Sequence, residues 1–455
     1  MAEQTTIEKL ADYVATALSR PLPPEVTEKT KHHLLDTVAA MVTGAHLKPG
    51  ELAIAFARSQ GGVAESTIAG SDVVTTAIMA AMANGMLAHS DETDDSHAPS
   101  LTHPGCAIVP AALAVAERED ADGDALLRSI ALGYDVSSRI ARAMGGISAR
   151  GMHGHATHAI GPMFGATATA SALAGLDPRG VRYALAFTAQ QASGITSWQR
   201  DSEHVEKSFV FGGMGARNGV TSALFVQSGM TGEEDTFSGD WNFLDLFCPE
   251  RDKLDGWVDQ LGSDYEILIT NIKKYAVGSP IQAAAEAMTT LVSQHRLQPE
   301  AVREIEVLLP PQGSRIVNAR AMPDVNLQYC MAVILLDGGV LTFESTHTYE
   351  RLSAPDVRDL MARVRLEPNP KFAGMERQRP ATVRLHLHDG QTLELHVPAV
   401  HGTADEPMTH DEVGAKALDL LGGVLGASRA QAVVDTAWGM GAGASARDFA
   451  SLLRS

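Results

Sequence analysis

Val383-Arg384-Leu385-His386-Leu387-His388, then Asp389-Gly390, then Thr392 to Val397, is the stretch on which the reading of the fold turns. Apolar and polar residues alternate with the period of two that a half-buried strand requires. Asp-Gly supplies the positive φ angles of a type I′ turn, so a β-hairpin is predicted. Upstream, Ile305, Val307 and Leu309 alternate with Glu304, Glu306 and Leu308 and read as a further strand. Between these strands, Ser279-Pro280 reads as the N-cap and first residue of a helix running to about His295, and Ala354 to Val364 reads as another helix. Residues 269–404 are therefore expected to form an α+β domain.

On either side the texture is helical. From Thr6 to about Leu268, Ala- and Leu-rich blocks such as Thr30 to Thr43, Thr76 to Leu87 and Gly161 to Gly175 are separated by Gly, Pro and Asp. The same texture returns after Pro407-Met408-Thr409, from about His410 to Leu453. The expected fold is mainly α with an α+β second domain: an all-helical main domain built from both chain ends, 1–268 and 405–455, and a smaller α+β lid domain, 269–404. An insertion of this kind leaves a cleft, where small-ligand pockets commonly form.

Composition narrows the function. Of 455 residues 45% are apolar but only 5% aromatic, which favours closely packed helices with small side chains. Lys and Arg number 36 against 55 Asp and Glu, a net charge of −19, and the longest basic cluster is Lys273-Lys274. Neither a nucleic acid nor an anionic membrane is an expected partner. Cys106, Cys248 and Cys330 are far apart and form no Cys-x-x-Cys pair, so no disulfide framework or zinc cradle is indicated and a reducing cytoplasm fits. Met1 to Arg20 lacks the apolar block of a signal peptide, and no segment has 18 unbroken apolar residues.

The densest polar cluster is His89-Ser90-Asp91-Glu92-Thr93-Asp94-Asp95-Ser96-His97, followed by Thr102-His103-Pro104. No Lys or Arg occurs between Arg58 and Arg118, so these acids must meet water, a metal or cations from distant segments. A solvated loop is the plain alternative. His153-Gly154-His155 with His158 forms a second cluster, readable as a metal site or as an acid/base histidine with loop neighbours. Lys207 and Lys273 are cations set among apolar residues, and Tyr329 offers one more hydrogen-bond donor. Histidine suits proton transfer near neutral pH and lysine suits holding carboxylates, which together point to acid/base chemistry beside a carboxylate. Gly212-Gly213-Met214-Gly215 lacks both the P-loop and the dinucleotide spacing, and no Gly-x-Ser-x-Gly elbow is present.

These motifs resemble the MmgE/PrpD family of 2-methylcitrate dehydratases, cis-aconitate decarboxylases and iminodisuccinate epimerases. The resemblance rests on Ala88-His89 through Asp94-Asp95-Ser96 to Thr102-His103-Pro104-Gly105, on Gly151-Met152-His153, on Lys207 with Gly212, on Ile272-Lys273-Lys274-Tyr275, and on Leu327-Gln328-Tyr329 before Leu335-Leu336-Asp337-Gly338. It implies a homodimer without metal or organic cofactor. It also implies His103, His153, Lys207, Lys273 and Tyr329 as catalytic residues and Glu92 and Ser96 as substrate-binding residues. The expected activity is a 2-methylcitrate dehydratase-like hydro-lyase on a small polycarboxylic acid, with decarboxylation or epimerisation of a related acid as alternatives. Glu92 stands where the family commonly has Asp, Val210 where a His often follows the Lys, and Ala276 to Pro280 replaces a Pro-Ser-Cys type segment. A metal-dependent hydrolase using His153, His155 and the acid cluster, and a non-catalytic organic-acid binding protein, are the readings from other classes.

Overall fold

Four helices of the N-terminal half begin where a short polar side chain takes an orphan amide. Thr5 caps α1 (Thr6–Thr16) in a capping box with Glu8, Thr76 accepts from the Met79 amide at the start of α4 (Ala77–Ala88), and Asp122 and Asp177 cap α6 (Gly123–Ala143) and α8 (Pro178–Gln191). With α2 (Pro24–Gly44), α3 (Lys48–Gln60), α5 (Gly105–Arg118) and α7 (Thr157–Leu173), these precede one long helical run. It consists of α9 (Val205–Ser208), a π turn at Phe209–Gly213 and α10 (Met214–Gln227). The computed structural model describes residues 4–145, 155–375 and 378–455. By contacts the chain divides into two units: residues 1–90, 94–270 and 410–455 make the first, and 91–93 with 271–409 the second.

In the first unit, α4 and α7 are almost wholly buried, as helices apolar on every face must be. Small residues let the backbones approach. A Cβ on Gly165 would stand 2.5 Å from the Gly133 carbonyl oxygen, which joins α7 to α6, and one on Gly212 would stand 2.0 Å from the Gly85 carbonyl oxygen. The second approach seats the π turn on the C-terminal end of α4, beside His89. The returning helix His410–Leu425 packs on α2, where Lys416 Nζ lies 2.6 Å from the fully buried Asp36 carboxylate. Burial pushes the Asp36 carboxyl up to about 6 despite the opposing pull of Lys416.

The second unit carries a four-stranded sheet in the order Val364–Pro368, Val302–Leu309, Ala381–Leu387, Thr392–Val397. The first pair is parallel and the others antiparallel. Asp389 and Gly390 make the turn between the last two strands, with Gly390 at φ 91°. Ile305, Val307, Leu309, Val383, Leu385 and Leu393 face the core, where helices Gln282–His295 and Leu327–Leu336 pack. On the opposite face Arg384 pairs with Glu306 at 3.0 Å and with Glu394, a cross-strand charge ladder.

Two local expectations differ. Ser279-Pro280 opens a 3₁₀ turn, Ser279–Ile281, with no side-chain cap, and the α-helix starts at Gln282. The helix expected from Ala354 to Val364 stops at Met361, because Val364 begins the edge strand parallel to Val302–Leu309. Among the described residues no helix is long and apolar enough to cross a membrane.

Candidate functional site

The acid-rich loop after α4 is buried throughout: Asp91 is 4% exposed, Glu92 7%, and Asp94 and Asp95 are inaccessible. Burial rules out a solvated loop, so each carboxylate needs a partner. In the first unit Asp94 lies between two imidazoles, with Oδ2 2.8 Å from His89 Nδ1 and Oδ1 3.2 Å from His103 Nδ1. Asp95 accepts from His33 Nδ1 at 2.9 Å, from the Tyr134 hydroxyl, and from the Gly105 amide at 3.0 Å, the last an otherwise orphaned N–H at the start of α5. In the second unit His347 Nε2 lies 3.0 Å from Asp91 Oδ2, and Lys273 Nζ lies 3.5 Å from Glu92 Oε2. The absence of Lys and Arg from the neighbouring sequence is thus met by histidines and one distant lysine.

His103 follows a turn in which Leu101 adopts φ 55°, a left-handed conformation costly for a bulky side chain and typical of positions that the surroundings hold. The turn is closed by paired backbone bonds between His97 and Thr102. Phe211, carried by the π turn, is the hub around which rings gather. His89 and His158 both stack on it with centroids 4.3 Å away and near-parallel planes, and His103 stands 5.4 Å from it, 5.1 Å from His89 and 5.8 Å from His158. Lys207, in the first turn of the same helical run, places its ammonium 5.3 Å from the Phe211 centroid and 5.8 Å from that of Trp198. His204, also at positive φ, lies 5.3 Å from His89. Burial pushes the His89 imidazole below its ordinary range, against the opposing pull of Asp94.

Of the residues named from sequence, His103 and Lys207 come together around Phe211. His153 lies outside the described residues. Glu92 and Lys273 meet in the second unit. Ser96 is buried, and its Oγ makes no hydrogen bond among the described residues. Tyr329 is fully buried at the start of Leu327–Leu336, where its hydroxyl donates to the Ser345 carbonyl at 2.6 Å, and burial pushes it up to about 12. His155 is exposed against Phe247. The sequence assigns no role to His89, Asp94 or His204, and it offers His158 only as a member of the second histidine cluster. His89 and Asp94 stood in the quoted motif, five residues apart. Nothing in the local sequence singles out His204.

As for a metal, among the described residues of the first unit His89, Asp94 and Cys106 form a donor set whose ligand atoms lie within 4.8 Å of one another. These donors already serve nearby groups: Asp94 accepts from His89, and the Cys106 thiol donates to the His103 carbonyl at 3.1 Å. The set is accounted for as a hydrogen-bonded cluster.

A carboxylate fixing an imidazole tautomer, with a lysine nearby to meet negative charge, is equipment for proton transfer in an acid/base enzyme. Comparison with known proteins gives the class a family: the MmgE/PrpD N-terminal domain matches residues 8–254 and the MmgE/PrpD C-terminal domain residues 275–440. The chain belongs to the MmgE/PrpD family and is a lyase. It is similar along most of its length to the cis-aconitate decarboxylase of Aspergillus terreus, with 24% identity over 467 aligned residues covering 96% of this chain and 94% of that one. The human cis-aconitate decarboxylase is likewise 24% identical, over 417 residues covering 87% and 83%.

Proposed function

We propose that this lyase acts on a small polycarboxylic acid by way of a carbanion-like intermediate next to a carboxylate. The observation that carries the reading is His103 held through Nδ1 by Asp94, with the Lys207 ammonium at the same aromatic hub. A carboxylate accepts only, so His103 donates from Nδ1 and Nε2 is left to exchange protons with substrate. In decarboxylation the bond from carbon to one carboxylate breaks, carbon dioxide leaves, and the electron pair passes to the neighbouring carbon. A protonated Nε2 then delivers the proton there. Lys207 stabilises the carboxylate into which the negative charge spreads. The relatives named for cis-aconitate favour an acid of that kind.

The second reading is the elimination of water from a 2-methylcitrate-like acid. It is favoured by a second imidazole, His158, 5.8 Å from His103, since dehydration needs one group to take the α proton and another to protonate the departing hydroxide. Lys273, Glu92, Ser96, Tyr329 and His153 belong to the proposal as further site residues. A homodimer, a cytoplasmic setting and independence from metal or organic cofactors go with it.

The test is a panel of cis-aconitate-like, methylcitrate-like and aminodicarboxylate compounds followed by NMR in deuterated water. Loss of carbon dioxide with one deuterium entering the product supports the first reading, formation of an unsaturated acid from a hydroxy acid the second. Saturable binding without turnover of any member overturns both. His103→Gln is expected to lower kcat at least about a hundredfold, the lower end for a positioned acid/base group. Stoichiometric metal in active protein, with activity lost to chelator, would instead favour a metal-dependent mechanism.

A further inference from the structure

Asp94 divides its two oxygens between two imidazoles, and one of these belongs to the proposed chemistry. Oδ1 meets His103 Nδ1 and Oδ2 meets His89 Nδ1. The three groups come from separate places: His89 closes α4, Asp94 lies in the acid-rich loop, and His103 precedes α5. We propose that Asp94 is a positioning residue shared between His103 and His89, fixing the Nδ1–H tautomer of both rings and setting the basicity of His103 by how much of its charge His89 takes up. The proposal rests on the reading of His103 as the proton-transfer group.

The two imidazoles differ in what they can do with the same anchor. His89 is fully buried and stacked on Phe211, and its Nε2 makes no hydrogen bond among the described residues. A buried ring of this kind stays neutral, and burial indeed holds His89 below its ordinary range. His103 keeps its side chain 14% exposed. His89 therefore acts as a neutral donor that draws on the carboxylate's charge, while His103 is the ring of the two that reaches solvent. The other titratable groups facing this pair within the first unit are Lys207 from α9, His204 at the start of α9, His158 from α7 and Cys106 from α5. Lys207 disfavours a second positive charge, and the stacking of His158 and His89 on Phe211 keeps the rings from turning.

A shared anchor makes the two substitutions that disturb it act with opposite sign, which a purely structural anchor does not. Asp94→Asn removes the charge that stabilises the His103 imidazolium. It should move the limb of kcat/KM that His103 sets, the alkaline limb where the ring delivers a proton and the acid limb where it takes one, to lower pH by about one unit, the lower end for an opposite charge in contact. His89→Phe keeps the ring on Phe211 and leaves Asp94 to His103 alone, so the same limb should move to higher pH. Opposite movements support the proposal, and movement in one direction for both variants, or none, overturns it. The tautomer is read without any substrate, on full-length protein with nitrogen-15 histidine, the His89 and His103 signals being assigned by the single variants. Both rings should show protonated Nδ1 and unprotonated Nε2 in the wild type. A His103 signal protonated at Nε2 and bare at Nδ1 refutes the tether even if the enzyme turns over a polycarboxylate. Conversely, the expected tautomers in a protein that turns over none leave the tether standing and remove the functional reading.

Discussion

Asp95→Asn is the sharpest perturbation of the frame that holds the loop. The native carboxylate receives three donors, His33 Nδ1 at 2.9 Å, the Tyr134 hydroxyl and the Gly105 amide at 3.0 Å, with no water-accessible surface on His33, Tyr134 or Asp95. An asparagine offers one acceptor oxygen, and keeping it on the Gly105 amide turns its NH₂ toward two groups that both donate. His33 can adapt, because burial holds it below its ordinary range and neutral, so its proton can move to the other ring nitrogen. Tyr134 cannot adapt as easily. It loses a charge-assisted bond, about 1.5–3 kcal/mol, and keeps a buried donor facing a donor, about 1–3 kcal/mol more. The expected destabilisation is about 3 kcal/mol, read as a shift in denaturant midpoint followed by far-ultraviolet circular dichroism. Tyr134→Phe in the wild-type background should cost about 1.5–3 kcal/mol by leaving the carboxylate short of a donor. Combined with Asp95→Asn it removes the clashing hydroxyl, so the double variant should be more stable than the sum of the single effects by at least about 1 kcal/mol. Additive effects, or an Asp95→Asn protein within about 0.5 kcal/mol of wild type, would refute the reasoning.

Lys416→Met leaves Asp36 buried without its ammonium partner and should destabilise the protein by about 3 kcal/mol near neutral pH. Because Asp36 already titrates at about 6, the cost should shrink at pH 5, where the carboxyl is protonated; equal costs at pH 5 and pH 8 would exclude the ion pair as the cause. In the second unit, the Asp91 bond raises His347 above 6.5 despite burial, and His347 with Thr93 lowers Asp91 below its ordinary value despite burial. The histidine's contribution to stability is complete below pH 6.5 and is lost as pH rises through its raised value, while the aspartate's is lost only as strong acid protonates it. His347→Gln should therefore flatten the fall in stability on the alkaline side of pH 6.5, measured by denaturation across pH, and an unchanged slope would remove the pair from the account. Lys273→Met, with its ammonium proposed to hold a substrate carboxylate, should raise KM by about tenfold to a hundredfold, the loss of one charge-assisted bond, and wild-type kinetics would take it out of the site.

What the sequence discloses depends on how local the physics is. The hairpin around Asp389-Gly390 is legible because turn chemistry and period-2 alternation lie within fifteen residues and agree. The edge strand Val364–Pro368 is not, since its alternation of Val364 and Leu366 with Arg365 and Glu367 is only four residues long and its partner lies some sixty residues away, so the helical texture reads on through Val364. The acid-rich loop announces itself by composition, but its solvation does not: that Asp95 meets His33 and Tyr134 is a product of how α2 and α6 pack on the start of α5. Lys207 is legible as a cation among apolar residues. Phe211, which gathers the rings, looks like ordinary core, because the π turn that aims it has no strong sequence signature. His204 joins the cluster through His89, and His158 through Phe211 and His103.

Consecutive carboxylates in this loop do different work because they meet different parts of the first unit. Asp95 turns inward to α2, α5 and α6 and ties the loop to the scaffold through donors that do not titrate near neutral pH. Asp94 turns to the ring cluster and holds the two imidazoles whose protons matter. Histidine and tyrosine suit both tasks better than lysine or arginine would. A fixed cation on Asp94 would compete for the charge that stabilises a histidinium, and one on Asp95 would bring a second desolvated charge into a core packed with alanine and glycine. The division makes the two neighbours separable. Asp95→Asn should act chiefly on stability, with the pH limb of the remaining activity unmoved, and Asp94→Asn chiefly on the pH limb, with a much smaller shift in denaturant midpoint. If both substitutions moved both observables alike, the loop would be one undivided network and the assignment of separate roles would fail.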